Sequence, residues 1–150
     1  MTQGHVVAIY LHGPKGAELS SVQEVTAIPG RGLQGDRLFR SEAGKLNPDQ
    51  ELTLIESEVI DAVAEETGLP LQASQTRRQI ITSGVRLNDL VDCEFKVGEV
   101  AVRGHRFCQP CEHLESLTQP GVLAAYHDRG GLRAQIVSGG TIRVRDAILV

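Results

Sequence analysis

No stretch of this chain strings together the roughly 18–20 apolar residues that a membrane-spanning helix needs. No membrane partner is therefore expected. The opening Met1-Thr2-Gln3-Gly4-His5 offers neither a basic stretch nor a cleavage site of the secretory kind, so no signal peptide is expected. Cysteine is scarce and odd in number, at three. That excludes a disulfide framework as what holds the fold, and points to a reducing, cytoplasmic setting in which thiols serve chemistry or packing. Positive charge is in the minority, with 15 lysines and arginines against 19 acids and a net charge of −4. A general nucleic-acid binder is excluded by that balance, while a local basic pocket is not. Flavin, haem and iron–sulfur motifs are missing, as are internal repeats and low-complexity segments. If the chain takes part in redox chemistry, its electrons must come from a partner protein.

What is present is enough apolar material, 41% of 150 residues, to build one domain over residues 1–150 that buries about 68–70% of its unfolded surface. Apolar runs and alternation place strands at 6–11, 22–28, 52–55, 77–82, 94–97, 100–103, 132–137 and 141–150. Gly98-Glu99 and Ser138-Gly139-Gly140 read as the turns of two hairpins. The one long helix is expected over 57–67, with Val59, Ile60 and Val63 on one face, and with Gly68 and Pro70 ending it. Shorter helical turns are expected at 87–91 and 121–127, and the polar segment 41–50 reads as a loop. Strands arranged in hairpins, without regular strand–helix alternation, predict a mainly β fold with appended helices (α+β), a barrel or folded sheet.

The densest chemistry lies in Gly104-His105-Arg106-Phe107-Cys108-Gln109-Pro110-Cys111-Glu112-His113-Leu114. A strand runs into it, and Pro110 suits the first turn of a helix leaving it. Both thiols therefore stand where unpaired N–H groups and the positive end of a helix dipole gather. An ordinary thiol is only about 3% ionised at pH 7. A helix end contributes roughly 0.3–1 kcal/mol, which moves a pKa by about a unit at most. A dominant thiolate thus needs a further cation or a metal, and Arg106, His105 and His113 are the local candidates. Cys93, between Asp92 and Glu94, reads as structural. His5, His12 and His127 read as surface or turn histidines, and Tyr126 as a core-edge residue.

A second concentration is Pro29-Gly30-Arg31-Gly32-Leu33-Gln34-Gly35-Asp36-Arg37. Its glycines permit positive φ and close backbone approach, and Arg31 and Arg37 add charge, so it is a candidate cradle for an anion. Arg77 and Arg78 open a predicted strand, where neighbouring side chains point to opposite faces.

Taken in order, Gly32-Leu33-Gln34-Gly35-Asp36-Arg37, Thr76-Arg77-Arg78-Gln79-Ile80, Leu87-Asn88-Asp89-Leu90 with Phe95-Lys96-Val97-Gly98-Glu99, Cys108-Gln109-Pro110-Cys111-Glu112-His113-Leu114 and Arg129-Gly130-Gly131-Leu132-Arg133-Ala134 resemble the MOSC domain, the molybdenum cofactor sulfurase C-terminal domain, in its small bacterial form. The resemblance runs from about residue 5 to 150. It departs from many relatives at Leu38, where histidine is common, and at Gln79, where asparagine is common.

What the resemblance implies is a mixed β-barrel of the pyruvate kinase barrel-like type around a cleft for a molybdenum cofactor (molybdopterin). Cys111 matches the family's chemical cysteine, which ligates molybdenum or carries a persulfide. Arg31, Gly32, Gly35, Asp36, Arg37, Arg77, Arg78, Arg106 and Arg133 match segments that would line the cofactor cleft. Cys108, His105 and His113 would support it. A family-level association with pyridoxal phosphate comes with the resemblance. The implied partners are the cofactor or a persulfide donor, and a redox or sulfur-acceptor protein.

Three other chemistries compete. The resemblance also implies, as an alternative, a molybdenum-dependent reductase of N-hydroxylated compounds that would use the same cleft with an external electron donor. Cys108 and Cys111 could form a thiol–disulfide pair, in which the first cysteine is usually the activated one. His105, Cys108, Cys111 and His113 could in number hold zinc, but four ligands within nine residues wrap poorly into a tetrahedron, so zinc is not expected.

Overall fold

A computed structural model of the chain describes residues 3–41, 45–68 and 71–150. The first strand, β1 (Gln3–Leu11), buries Val6 and Ile9 and exposes His5 and Val7. Its phase is reset by an irregularity between Val6 and Ala8. It is followed by β2 (Ser20–Val22), β3 (Glu24–Ile28), β4 (Gly32–Leu33), β5 (Leu52–Glu56), β6 (Ile80–Ser83), β7 (Glu94–Val97), β8 (Val100–Phe107), β9 (Leu132–Ser138), β10 (Gly140–Arg143) and β11 (Ala147–Leu149). Three helices, α1 (Ser57–Thr67), α2 (Glu112–Leu117) and α3 (Val122–Ala125), join them, with single 3-10 turns at Pro48–Gln50, Ala73–Thr76 and Leu87–Leu90.

Seven strands close on themselves in the order β1-β11-β7-β8-β9-β5-β6 and back to β1, with β2 laid on the outside of β1. Only β5 and β6 run parallel, and α1 makes the crossover that parallel neighbours require. Val6, Ile9, Leu54, Ile80, Val97, Val100, Leu132 and Ile148 are buried in the main core. The apolar face of α1, Ile60 and Val63, packs into a smaller core with Ile55, Ile81, Leu114 and Tyr126. Burying a side chain such as Val63 is worth about 1.5–3 kcal/mol, so this face anchors the helix. Gly68 ends α1 with φ 71° and its N–H donates to the Ala64 carbonyl at 2.9 Å. Pro70, the other expected stop, lies outside the described residues.

The barrel and the helix stand as the alternation predicted, and four local expectations are corrected. The strand expected over 22–28 is two, broken at Gln23. β2 stays on the barrel, while β3 joins β4 and β10 in a separate three-stranded sheet. The turn at 138–140 does not close a hairpin. β9 already has both edges filled by β8 and β5, so the chain leaves the barrel and β10 pairs with β3, Ile142 opposite Val25. Arg77 does not begin a strand: it caps the 3-10 turn before it with φ 60°. Tyr126 is fully buried, not at the core edge.

Candidate anion and thiol site

The candidate residues fall on three elements. The first carries the thiols. β8 ends at Phe107, and the Cys108 N–H donates to the Gly131 carbonyl at 2.7 Å, tying the loop to the start of β9. This leaves Cys108 buried at 1% exposure and Cys111 exposed. Cys111 is the N-cap of α2, its Sγ accepting from the Leu114 N–H at 3.4 Å. Pro110 therefore precedes the cap, outside the first turn where the sequence placed it. α2 has only 6 residues, so the positive charge near the thiols must come from elsewhere.

Arg78 provides it. Its Nε donates to the Gly130 carbonyl at 2.7 Å, Nη1 to Thr76 at 3.2 Å, and Nη2 to Cys108 at 3.0 Å and Gln109 at 3.3 Å. The side chain is buried, and no carboxylate pairs with it among the described residues. Burial pushes its pKa below the ordinary guanidinium range; Cys108 and Cys111 oppose that shift, while Arg133 adds to it. A guanidinium stays protonated through such shifts. Arg78 thus lies against the backbone of the cysteine loop, with its donors engaged by carbonyls.

The second element is an open cleft of about 470 Å³ lined by Arg37, Leu38, Phe39, Arg40, Leu46, Gln50 and Arg133. None of these residues is acidic. Arg133 gives Nη1 to the Asp49 carbonyl at 3.1 Å, and its buried Nε has no hydrogen-bond partner. A neighbouring cavity of about 320 Å³, with Glu18, Gln72 and Thr118 in its walls, is flanked by Arg77. Arg77 donates to the Ala17 carbonyl at 2.9 Å. Burial first, then the nearby Arg37 charge, pushes its pKa down. Arg77 thus feels the charge of Arg37, and Arg78 that of Arg133.

The third element shapes the glycine-rich loop. Gly32 and Gly35 adopt φ 97° and 94°, as a tight cradle requires. The Asp36 carboxylate faces inward. Oδ2 accepts from the His12 N–H at 2.8 Å and lies 2.9 Å from His12 Nδ1, and Oδ1 accepts from the Leu38 N–H at 2.9 Å. Burial would raise the Asp36 pKa, but the bonds from His12, Gln79 and Leu38 outweigh it and hold the pKa near about 2. Gln79 in turn accepts from the Thr53 N–H at 3.0 Å. Asp36 acts as the loop's internal anchor, and His12, read as a surface or turn histidine, lies just past β1 and is half-buried as its partner.

The remaining candidates scatter. Arg106 is exposed and makes a two-pronged pair with the Asp49 carboxylate at 3.1 and 2.8 Å. Arg31 is half-buried and donates to the Arg40 carbonyl at 3.0 Å. His105 and His113 are exposed, as is Cys93, which therefore has no packing role in the core. Among the described residues no three His, Cys, Asp or Glu side chains converge on a point that could hold a metal ion. Sequence reasoning missed Arg40, whose signal was its place three residues beyond Arg37, and His12, for which periodicity gives no signal.

The chain is thus a closed mixed barrel that carries an arginine-lined cleft and an exposed thiol at the start of a short helix. The chain belongs to the MOSC domain family, whose model matches residues 41–149. Among solved structures it is similar to the YuaD protein from Bacillus subtilis, at TM-score 0.82 and 16% identity, covering 99% of this chain and 97% of that one. It is also similar to YiiM from Geobacillus stearothermophilus, at TM-score 0.74 and 18% identity, covering 98% and 75%. YiiM from Escherichia coli follows at TM-score 0.70 and 17% identity, covering 99% and 69%. At such identities these likenesses establish the fold alone. No curated protein matches the sequence. No helix is long and apolar enough to cross a membrane among the described residues.

Proposed function

We propose that this protein binds a molybdopterin-type cofactor, or takes up sulfur for transfer to a metal–sulfur centre, with Cys111 as the reacting thiol. The observation that carries the reading is the cleft of Arg37, Arg40 and Arg133, which gathers three guanidinium groups without an acidic wall and leaves one buried N–H unpaired. Such a set asks for an anion that accepts several charge-assisted hydrogen bonds, as a phosphate does. The exposed sulfur of Cys111 offers the soft donor that a sulfur-bound metal prefers, or a nucleophile for a persulfide. When bound, the cofactor supplies the two-electron chemistry of its metal. Arg37, Arg40 and Arg133 would hold its anionic group, and Cys111 would meet the metal or pass on sulfur. Without a redox centre of its own in the sequence, the chain fits transfer or carriage better than turnover as a reductase, which would require a donor protein. No lysine lines the cleft. Lysine is how pyridoxal phosphate is held, so that cofactor has no place in this reading.

Native mass spectrometry of the purified protein tests it. A bound pterin, or an extra sulfur located on Cys111, is the expected result, lost in Cys111→Ser while the circular dichroism spectrum is kept. Full retention of either species in Cys111→Ser removes the assignment.

A further inference from the structure

The cavity of about 320 Å³ flanked by Arg77 shares no lining residue with the arginine cleft. Its size is at the lower end of the roughly 300–1,000 Å³ that small-molecule pockets span. Three stretches remote in sequence wall it: the loop before β2 (Glu18, Leu19), the turn before β6 (Ser74, Arg77) and the end of α2 (Leu117). Arg77 is fixed there by its backbone and by its side chain. It caps the turn at φ 60°, a left-handed conformation that a residue bearing a Cβ adopts at a cost. Its Nη1 donates to the Ala17 carbonyl at 2.9 Å, so the guanidinium stands against the backbone next to Glu18. Glu18 does not close on it. Neither Glu18 nor Arg77 takes part in an ion pair among the described residues, although both line the one cavity. Two opposite charges thus stand apart in the same concavity. Leu19, buried, and Leu117, 38% exposed, add apolar wall. A simple anion entering here would meet the Glu18 carboxylate, and a simple cation would meet the Arg77 guanidinium. A zwitterion suits both: its carboxylate accepts from the planar N–H fork of Arg77, and its ammonium donates to Glu18. The geometry points to this cavity as a second small-molecule site, which takes an α-amino acid with an aliphatic side chain. The Leu19 and Leu117 surfaces offer that side chain apolar contact, and the Ser74 hydroxyl offers the polar end one more hydrogen bond. The site uses neither Cys111 nor the arginine cleft.

The test is a nuclear magnetic resonance titration of the whole chain with L-leucine. Saturable shifts at residues 16–19, 72–77 and 117–118 are expected, with a Kd of about 1 mM or tighter. N-acetyl-L-leucine lacks the ammonium, and L-leucinamide lacks the carboxylate. Each should bind at least about fivefold more weakly than L-leucine, the scale of one charge-assisted contact at a partly exposed site. In Glu18→Gln the loss caused by acetylation should shrink to within about twofold while the loss caused by the amide persists, and in Arg77→Gln the pattern should reverse. Glu18 is exposed, so its replacement leaves the fold intact and decides alone if Arg77→Gln does not fold. No saturable shift at those residues with L-leucine, acetylated leucine bound as tightly as leucine, or an acetylation loss that Glu18→Gln leaves unchanged would each overturn the proposal. None of these readings depends on whether pterin or sulfur is found on the purified protein, so the two proposals fail separately.

Discussion

Replacing Asp36 with asparagine separates the anchor of the glycine-rich loop from everything else in the fold. The carboxylate is buried, with its side chain 1% exposed, and its pKa falls from 3.8 to about 2. A group whose folded pKa lies below its unfolded one stabilises the protein fully above the unfolded value. That contribution is lost as pH drops through the folded value. A difference of roughly two units corresponds to about 2 kcal/mol at neutral pH. Most of it is lost between about pH 5 and pH 2. Asparagine keeps one acceptor but turns an N–H₂ toward the His12 N–H, so the same bonds cannot be remade. Urea unfolding of Asp36→Asn at pH 7 should therefore show a loss of about 2 kcal/mol against the native protein, shrinking to a few tenths near pH 2. Curves that differ by the same amount at both ends of that range would mean that the loss is one of packing, and the assignment of Asp36 as a charged internal anchor would be wrong.

Arg133→Ala should weaken retention of the anionic ligand by tenfold or more in the same native mass measurement, since a charge-assisted bond to a guanidinium is worth about 1.5–3 kcal/mol. Arg106→Ala should change it less than twofold, because that side chain is exposed and paired with Asp49; equal losses would place Arg106 back at the cleft. Gly131 sits at φ 115° where an added Cβ would meet the Leu54 carbonyl. Gly131→Ala is accordingly expected to lower stability by about 2–4 kcal/mol, read from the urea midpoint. Glu51 is buried, binds the Gly30 N–H, and has its pKa raised by that burial. The unfolded chain then ionises first as pH rises, so Glu51 costs stability above about pH 4.5. Glu51→Gln should flatten that part of the stability–pH curve, and an unaltered slope between pH 4 and 7 would refute it.

The regular parts of the molecule were legible because a local period reports which face is buried. Val59, Ile60 and Val63 gave α1 its bounds, Gly68 gave its end, and the hairpin of β7 and β8 followed from alternation around Gly98-Glu99. What could not be read were choices made by edges and by distant partners. Nothing in residues 138–143 says that β9 has both edges occupied, and that fact alone sends β10 to β3. The site divides in the same way. Composition and motif order pointed to arginine-bearing segments and to Cys111, which is exposed. Which arginines are engaged within the fold depends on carbonyls and carboxylates remote in sequence, such as Gly130 for Arg78 and Asp49 for Arg106.

That sorting of guanidinium groups is where the physics of the site lies. Arg106 has a carboxylate, and Arg129 shares Glu66 with the solvent. Arg78 has carbonyls only, Arg77 one carbonyl, and Arg133 a carbonyl with one N–H unmatched. Arg37 and Arg40 line the cleft with their side chains in no ion pair among the described residues. In a protein of net charge −4, acids to neutralise them are plentiful, yet none lines the cleft. Like charges so gathered repel one another, a term that the Asp49 carboxylate eases at Arg133 and that a bound anion would reverse. An anion held in the proposed cleft would relieve that repulsion, which is why Arg133→Ala is expected to weaken its retention.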